Sequence, residues 1–264
     1  MRRLVLLLIA ATGVFDACSG NGAGIDAGGC RPVVALVASS MTDAFTDVAG
    51  NECADVWKVT GGSSTALAAQ VQEGSPADAF VSAGSKSIDQ LKKADRTVGE
   101  PVPLGSVRAT LLLPVSHNEV VTLRDLPTRV ATGWKVGVCV ASAPCGEMAD
   151  RVLANATSLW GKGFDRRTLV ATEAESASDL VAKVAMGELD VALIYEYACG
   201  SAKSTVDTTV RCAAIPDSVG SSPLNVKTPY FAVRLNDSKN ADDFMRYVSS
   251  SGFKAYVSEW LRIT

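Results

Sequence analysis

Three times along this 264-residue chain a short apolar run passes through a turn of serine, glycine or proline into a stretch of helical spacing. Arg31–Ala38 (RPVVALVA) leads through Ser39-Ser40-Met41-Thr42-Asp43 into Thr42–Ala49, where Ala44, Phe45 and Val48 share a face. Trp57–Thr60 leads through Gly61-Gly62-Ser63-Ser64 into a helix carrying Leu67 and Val71. Lys135–Val140 (KVGVCV) leads through Ala141-Ser142-Ala143-Pro144-Cys145-Gly146 into Glu147–Ala154. Continuous apolar runs suit strands covered on both faces, and their alternation with helices predicts an α/β fold with parallel pairing. In such a sheet the turns gather at the carboxyl edge, where helix N-termini open and small ligands bind.

The remaining segments keep the alternation. Strands are expected at Ala79–Ser82, Ala109–Pro114, Leu169–Ala171, Val191–Tyr195, Arg211–Ile215 and Pro229–Arg234. Helices are expected at Ser87–Ala94, Ala177–Met186 (opened by Ser176 and Ser178), Ala241–Ser249 and Tyr256–Leu261, with a helical turn at Leu123–Leu126. Glu100–Leu104, Ser201–Asp207 and Asp217–Pro223 read as loops. No fixed-period repeat occurs, and the length allows one large domain or two lobes of ordinary size.

Apolar residues make up 47% of the chain, ample for a core. A net charge of −3, with no basic cluster after the first three residues, gives no support for a nucleic-acid partner. The one histidine, His117, lies in a polar SHNE loop and is expected at the surface, and no G-x-S-x-G turn is present. Without a nucleophile and base in view the chain does not read as an enzyme. Asp78, before an apolar strand, is expected to brace that strand rather than to catalyse.

The N-terminus carries an address. Arg2-Arg3 precede the apolar run Leu4–Phe15, too short to span a bilayer and suited to a signal-peptide core, which assigns residues 1–17 to a signal peptide. Phe15-Asp16-Ala17-Cys18 resembles a bacterial lipoprotein cleavage site, with Cys18 as the lipidated residue and 18–30 as a membrane-anchored tether; the alternative is a plain secretory signal cut nearby. Either way the mature protein is exported, as a cell-membrane lipoprotein or into the periplasm. Seven cysteines less Cys18 leave six, for which the simplest of fifteen connectivities pairs Cys30 with Cys53, Cys139 with Cys145, and Cys199 with Cys212. With no C-x-x-C, no site for a free metal cation is expected.

The most informative stretch is Gly61–Ala83, GGSSTALAAQVQEGSPADAFVSA. A Gly-Gly-Ser-Ser turn feeding a helix aims backbone N–H groups and a hydroxyl at one point, which can hold an anion without a cation. Taken alone, it reads first as an ordinary loop with a serine N-cap, since such caps are common.

Together with VASSMTDAF (37–45), APCGEMA (143–149), GELDVALIYEYA (187–198) and SSGFKAYV (250–257), that stretch resembles the periplasmic molybdate-binding proteins of ABC importers, within the type II solute-binding fold. The pieces span nearly the whole mature chain in family order. The resemblance implies two α/β lobes, 31–106 with 225–264 and 107–224, with mainly parallel sheets, flanking helices and crossing strands. It implies a molybdate or tungstate ligand in the cleft, permease subunits of an importer as partners, a monomer and no cofactor. Its ligand positions fall on Ser40 and Ser64 (hydroxyls), Cys145 and Ala177 (backbone N–H) and Tyr195 (phenol). Related tungstate and molybdate binders add carboxylates where this chain has Ala143 and Ala177, which favours tetrahedral recognition here; Glu147 and Glu175 are the nearest acids in sequence. Cys139 and Cys145 bracket the turn at Ala143, and a disulfide between them is expected to stiffen the loop presenting the Cys145 amide; the alternative is two unpaired thiols with Cys139 in the strand core. Alternatives are the same fold holding sulfate or a phosphonate, or an exported lipoprotein that serves as an interaction module outside transport.

Overall fold

The computed structural model describes residues 31–52, 56–199 and 209–261. The signal segment, Cys18, the Cys30–Cys53 pairing and the Ser201–Asp207 loop lie outside the described residues. In chain order the elements are β1 (Val33–Ala38), a 3-10 turn (Ser39–Met41), α1 (Thr42–Glu52), β2 (Trp57–Gly62), α2 (Ser64–Gln72), β3 (Ala79–Ala83) and α3 (Lys86–Lys93). Then come β4 (Val98–Pro114), α4 (Leu126–Ala131), β5 (Val136–Cys139), α5 (Pro144–Trp160), α6 (Arg166–Leu169), β6 (Val170–Ala174), α7 (Ala177–Ala185) and β7 (Val191–Tyr195). A 3-10 turn (Glu196–Cys199) precedes β8 (Val210–Ala214), β9 (Ser218–Val219), β10 (Ser222–Pro223), β11 (Lys227–Arg234), α8 (Lys239–Ser249) and α9 (Ser251–Leu261).

The main sheet runs β2-β1-β3-β11-β4-β7-β5-β6, with β8 also on β4. Pairing is parallel at both ends, β2 and β3 on β1 and β6 and β7 on β5. It is antiparallel in the middle, where β11 joins β3 to β4 and β4 joins β7 and β8. The strand β4 links two halves: it pairs with β11 up to Arg108 and with β7 from Ala109. The first half holds β1, β2, β3 and β11; the second holds β5, β6, β7 and β8.

Several expected elements are longer in the structure: the last helix starts at Ser251 rather than Tyr256, and the strand expected at Leu169–Ala171 runs Val170–Ala174, with Leu169 closing the short helix α6. Glu100–Leu104, with Pro101 and Pro103, is strand rather than loop, part of the seventeen-residue β4. Over that stretch β4 has β11 on one side only, an edge position of the kind where proline is tolerated in a strand. Helix α5 runs past Ala154 to Trp160, because the Thr157 and Ser158 hydroxyls donate back to the Leu153 and Ala154 carbonyls instead of breaking the helix. The Asp217–Pro223 loop contains the short β9–β10 hairpin.

The core follows the sequence pattern. Strand β1 is buried on both faces, and Phe45 of α1 packs against Phe244 and Phe253 with ring centroids 5.8 and 5.2 Å apart. Leu67 and Val71 of α2 sit with Leu36, Phe80, Ile88 and Leu91 in a smaller cluster beneath α2 and α3. Asp78 braces as expected: it accepts from Val34 N, Asn236 Nδ2 and Ser238 Oγ at 2.9–3.1 Å. Among the described residues no helix is long and apolar enough to cross a membrane.

Candidate functional site

All five expected ligand positions line one cavity between the two halves of the sheet. Its walls are Ala38, Ser39, Ser40, Gly62, Ser63, Ser64 and Ala83 from the first half and Pro144, Cys145, Ser176, Ala177 and Tyr195 from the second. The cavity is small, with a volume of ≈ 10 Å³. Pockets for larger organic ligands run to roughly 300–1,000 Å³.

Helix starts supply the walls. Ser40 lies in the 3-10 turn that hands β1 to α1, and its Oγ stands 2.7 Å from Tyr230 Oη. In the Gly-Gly-Ser-Ser turn the two serines divide the work. Ser63 is the N-cap of α2 and accepts from Ala66 N at 3.2 Å, which frees Ser64 to face inward, where its Oγ accepts from Ala83 N at 3.1 Å. Gly61 is needed because a Cβ there would come within 2.4 Å of Thr42 Oγ1. In the second half, Pro144 and Cys145 open α5, and Ala177 opens α7 behind its N-cap Ser176, which accepts from Asp179 N. Backbone N–H groups in these first turns have no partner within their helix and carry the positive end of its dipole.

The Cys145 turn is held from three sides. A disulfide joins Cys145 to Cys139 of β5. Gly146 lies so close to the strand that a Cβ would stand 1.9 Å from the Val140 carbonyl oxygen. Arg166 donates to the Cys139 carbonyl at 2.8 Å and pairs with Asp150 and Glu173. A second disulfide, Cys199–Cys212, ties the turn after β7 to β8.

Tyr195 closes the far wall. Its ring is 1% exposed, and its hydroxyl is buried with no hydrogen-bond partner among the described residues. Thr228 lies near enough to pull the phenol pKa down against the larger effect of burial but does not meet the hydroxyl at hydrogen-bonding geometry. Burial first, then the neighbouring Tyr230 phenol, holds the Tyr195 pKa well above that of a free tyrosine, so the hydroxyl remains a neutral donor. A buried orphan hydroxyl costs about 1–3 kcal/mol and calls for an acceptor.

No lining side chain carries a charge. Glu147 is not part of the lining and pairs with Lys86 of the other half, although its charge is near enough to help raise the Tyr195 pKa, and Glu175 is exposed. Two further contacts join the halves: Thr65 Oγ1 donates to the Ser142 carbonyl at 2.8 Å, and Ser178 Oγ to the Ser39 carbonyl at 3.4 Å.

Some residues fall elsewhere than expected. His117 is half-buried rather than free at the surface; it meets Asp190 at 3.1 Å and packs on Trp134 with centroids 4.4 Å apart. The segment after Tyr195 is a 3-10 turn that buries Tyr197 and turns Glu196 to Arg108. The sequence reading missed Tyr230, which touches Ser40 from 190 residues away. Its one local signal is the strand Pro229–Arg234 in which it lies.

Residues 33–259 match the family model of bacterial extracellular solute-binding proteins. The chain belongs to this family. Among relatives of this solute-binding protein, the molybdate-binding protein ModA of Mycobacterium tuberculosis H37Rv is 30% identical over 236 residues, 88% of this chain and 84% of the relative. Among solved structures, the Azotobacter vinelandii periplasmic molybdate-binding protein superposes with a TM-score of 0.66 at 18% identity, covering 86% of this chain and 97% of that one. The sulfate-binding protein SubI of M. tuberculosis H37Rv gives 0.68 at 17%, covering 88% and 85%. Likeness at that level of identity speaks for the type II binding-protein fold alone, and the cavity must carry the choice of ligand.

Proposed function

We propose that this chain is the extracytoplasmic solute-binding component of an ABC importer and captures molybdate or tungstate in the cavity between its halves. The observation that carries the proposal is a small cleft between the halves with no charged side chain in its lining, walled by helix starts and by a buried tyrosine hydroxyl with no hydrogen-bond partner among the described residues. Ser40 and Ser64 donate hydroxyl protons, Cys145 and Ala177 donate backbone N–H, and Tyr195 donates its phenol. Four oxygens of a tetrahedral dianion meet these donors, and the helix dipoles replace a counter-ion. Preset dipoles in a dry cleft need little reorganisation on binding.

The same donors reject a protonated oxyanion such as hydrogen phosphate, whose O–H would face another donor. That mismatch costs roughly 1–3 kcal/mol, or one to two decades of affinity. Capture would occur between two lobes, 31–106 with 225–264 and 107–224, that close on the ion. The contacts Thr65–Ser142 and Lys86–Glu147 then join the lobes. The protein acts outside the cytoplasm, tethered through a lipid on Cys18, and as a monomer delivers its ion to the permease subunits. Binding, not turnover, is its task.

Titration calorimetry with molybdate, tungstate and sulfate on wild type and Ser64→Ala tests this. Molybdate or tungstate should bind wild type and lose one to two decades of affinity in the variant. At about 100 times its dissociation constant, molybdate should add about 2.7 kcal/mol of stability. Binding of sulfate alone would reassign the ligand, and the absence of any oxyanion binding would leave an exported interaction protein.

A further inference from the structure

Both serine hydroxyls in the cavity are held from behind by the fold. For Ser64 the direction is settled, because the Ala83 N–H can only donate; Ser64 Oγ accepts at 3.1 Å and its own proton turns elsewhere. For Ser40, 2.7 Å from Tyr230 Oη, either oxygen can donate. We propose that Tyr230 is a positioning and selectivity residue of the anion site: its phenol donates to Ser40 Oγ, turns the Ser40 proton into the cavity and makes Ser40 a donor only. The inference rests on the oxyanion reading above.

Three observations carry it. Tyr230 is fully buried and Ser40 nearly so, and Ser40 is the phenol's one hydrogen-bond partner among the described residues. If Ser40 donated, the phenol proton would be buried without an acceptor and an oxyanion would face a serine lone pair. With Tyr230 donating, every proton is used, from Tyr230 to Ser40 to the anion, and each bond polarises the next. The phenol is also rigidly placed. Tyr230 sits in β11 between β3 and β4, with Ala83 as its partner on one side and Gly105 on the other. Ala83 is the residue whose N–H orients Ser64, so one position in the sheet aims both hydroxyls. Burial, foremost, holds the Tyr230 pKa far above the usual tyrosine range, which keeps the donor proton in place.

The consequence is selectivity. A serine free to rotate can accept from the O–H of hydrogen phosphate, whereas a serine locked as donor cannot. The test is a double-mutant cycle on the full mature protein, with molybdate as titrant and hydrogen phosphate as competitor. Tyr230→Phe keeps the ring and removes the bond to Ser40; it should weaken molybdate by up to about tenfold, the scale of one hydrogen bond between neutral groups. Ser40→Ala should lose at least as much, and adding Tyr230→Phe to it should cost nothing more. The preference for molybdate over hydrogen phosphate should narrow in Tyr230→Phe. Additive losses in the double variant, or an unchanged preference, would overturn the proposal while leaving molybdate capture intact. Wild type that binds no oxyanion would overturn both. Should Tyr230→Phe not fold, proton NMR of the wild-type molybdate complex decides: an exchange-protected Tyr230 hydroxyl proton is expected, and its absence would sink the proposal.

Discussion

The two walls of the cavity present donors by different means. On the first-half wall, Ser40 and Ser64 present side-chain hydroxyls, each held from behind by one hydrogen bond, from Tyr230 and from the Ala83 N–H. On the second-half wall, Cys145 and Ala177 present backbone at helix starts, and what holds the Cys145 turn is a disulfide, a glycine contact and Arg166. The first wall is specified by what the lining side chains are; the second by how the chain is bent. A substitution on the first wall therefore acts through the atom it removes, whereas on the second it acts only if it moves the backbone.

Gly146→Ala should be the most damaging change, although alanine is inert and residue 146 was no one's ligand. Its Cβ would meet backbone, the Val140 carbonyl, and backbone cannot swing aside as a side chain can. Thermal unfolding should show a loss of roughly 1–3 kcal/mol, and calorimetry should find molybdate binding reduced beyond that of any single-donor variant. Normal affinity in Gly146→Ala would break the distinction between the walls. Ser64→Ala comes next. It removes one donor and leaves the Ala83 N–H without its acceptor, so one to two decades of affinity should go with a stability loss of about 1 kcal/mol.

The same distinction explains what could be read from sequence. The turns at Ser39-Ser40, Gly61–Ser64 and Pro144–Gly146 were legible because cap, turn and helix lie within a few residues of one another. Aligning them with known family motifs brought Ser40, Ser64, Cys145, Ala177 and Tyr195 into one expected set, and the structure places all five around one cavity. What supports those residues was illegible. Tyr230 reaches Ser40, and Lys86 reaches Glu147, only after the sheet order β3-β11-β4-β7 is set, and nothing local encodes that order. The long strand β4 was half hidden for a related reason: Pro101 and Pro103 read as breakers until one sees that this stretch of the strand has a neighbour on one side only.

Removing the disulfide probes the second wall more gently than Gly146→Ala does. The loop between Cys139 and Cys145 is short, so a Cys139→Ala/Cys145→Ala variant should lose about 2 kcal/mol of stability. Gly146 and Arg166 still hold the turn, and the donor is backbone, so molybdate affinity should fall by less than in Ser64→Ala. A larger fall than in Ser64→Ala would mean that the disulfide, not the glycine contact, sets the turn.

Glu147→Gln should have the smallest effect and draws the sharpest line. Glu147 is the first acid after the Cys145 turn, and sequence alone left it open as an added ligand to a six-coordinate metal centre. In the structure it pairs with Lys86 of the other half, with side chains 39% and 60% exposed, and is absent from the cavity wall. A solvated pair of this kind contributes at most about 1 kcal/mol and is screened by salt. Molybdate affinity should therefore stay within about threefold of wild type, with the difference vanishing at high ionic strength. A salt-independent loss above about tenfold would mean that the carboxylate turns inward onto the ion. The second wall would then contribute a side chain after all, and the contrast between the walls would fail at the residue next to its defining glycine.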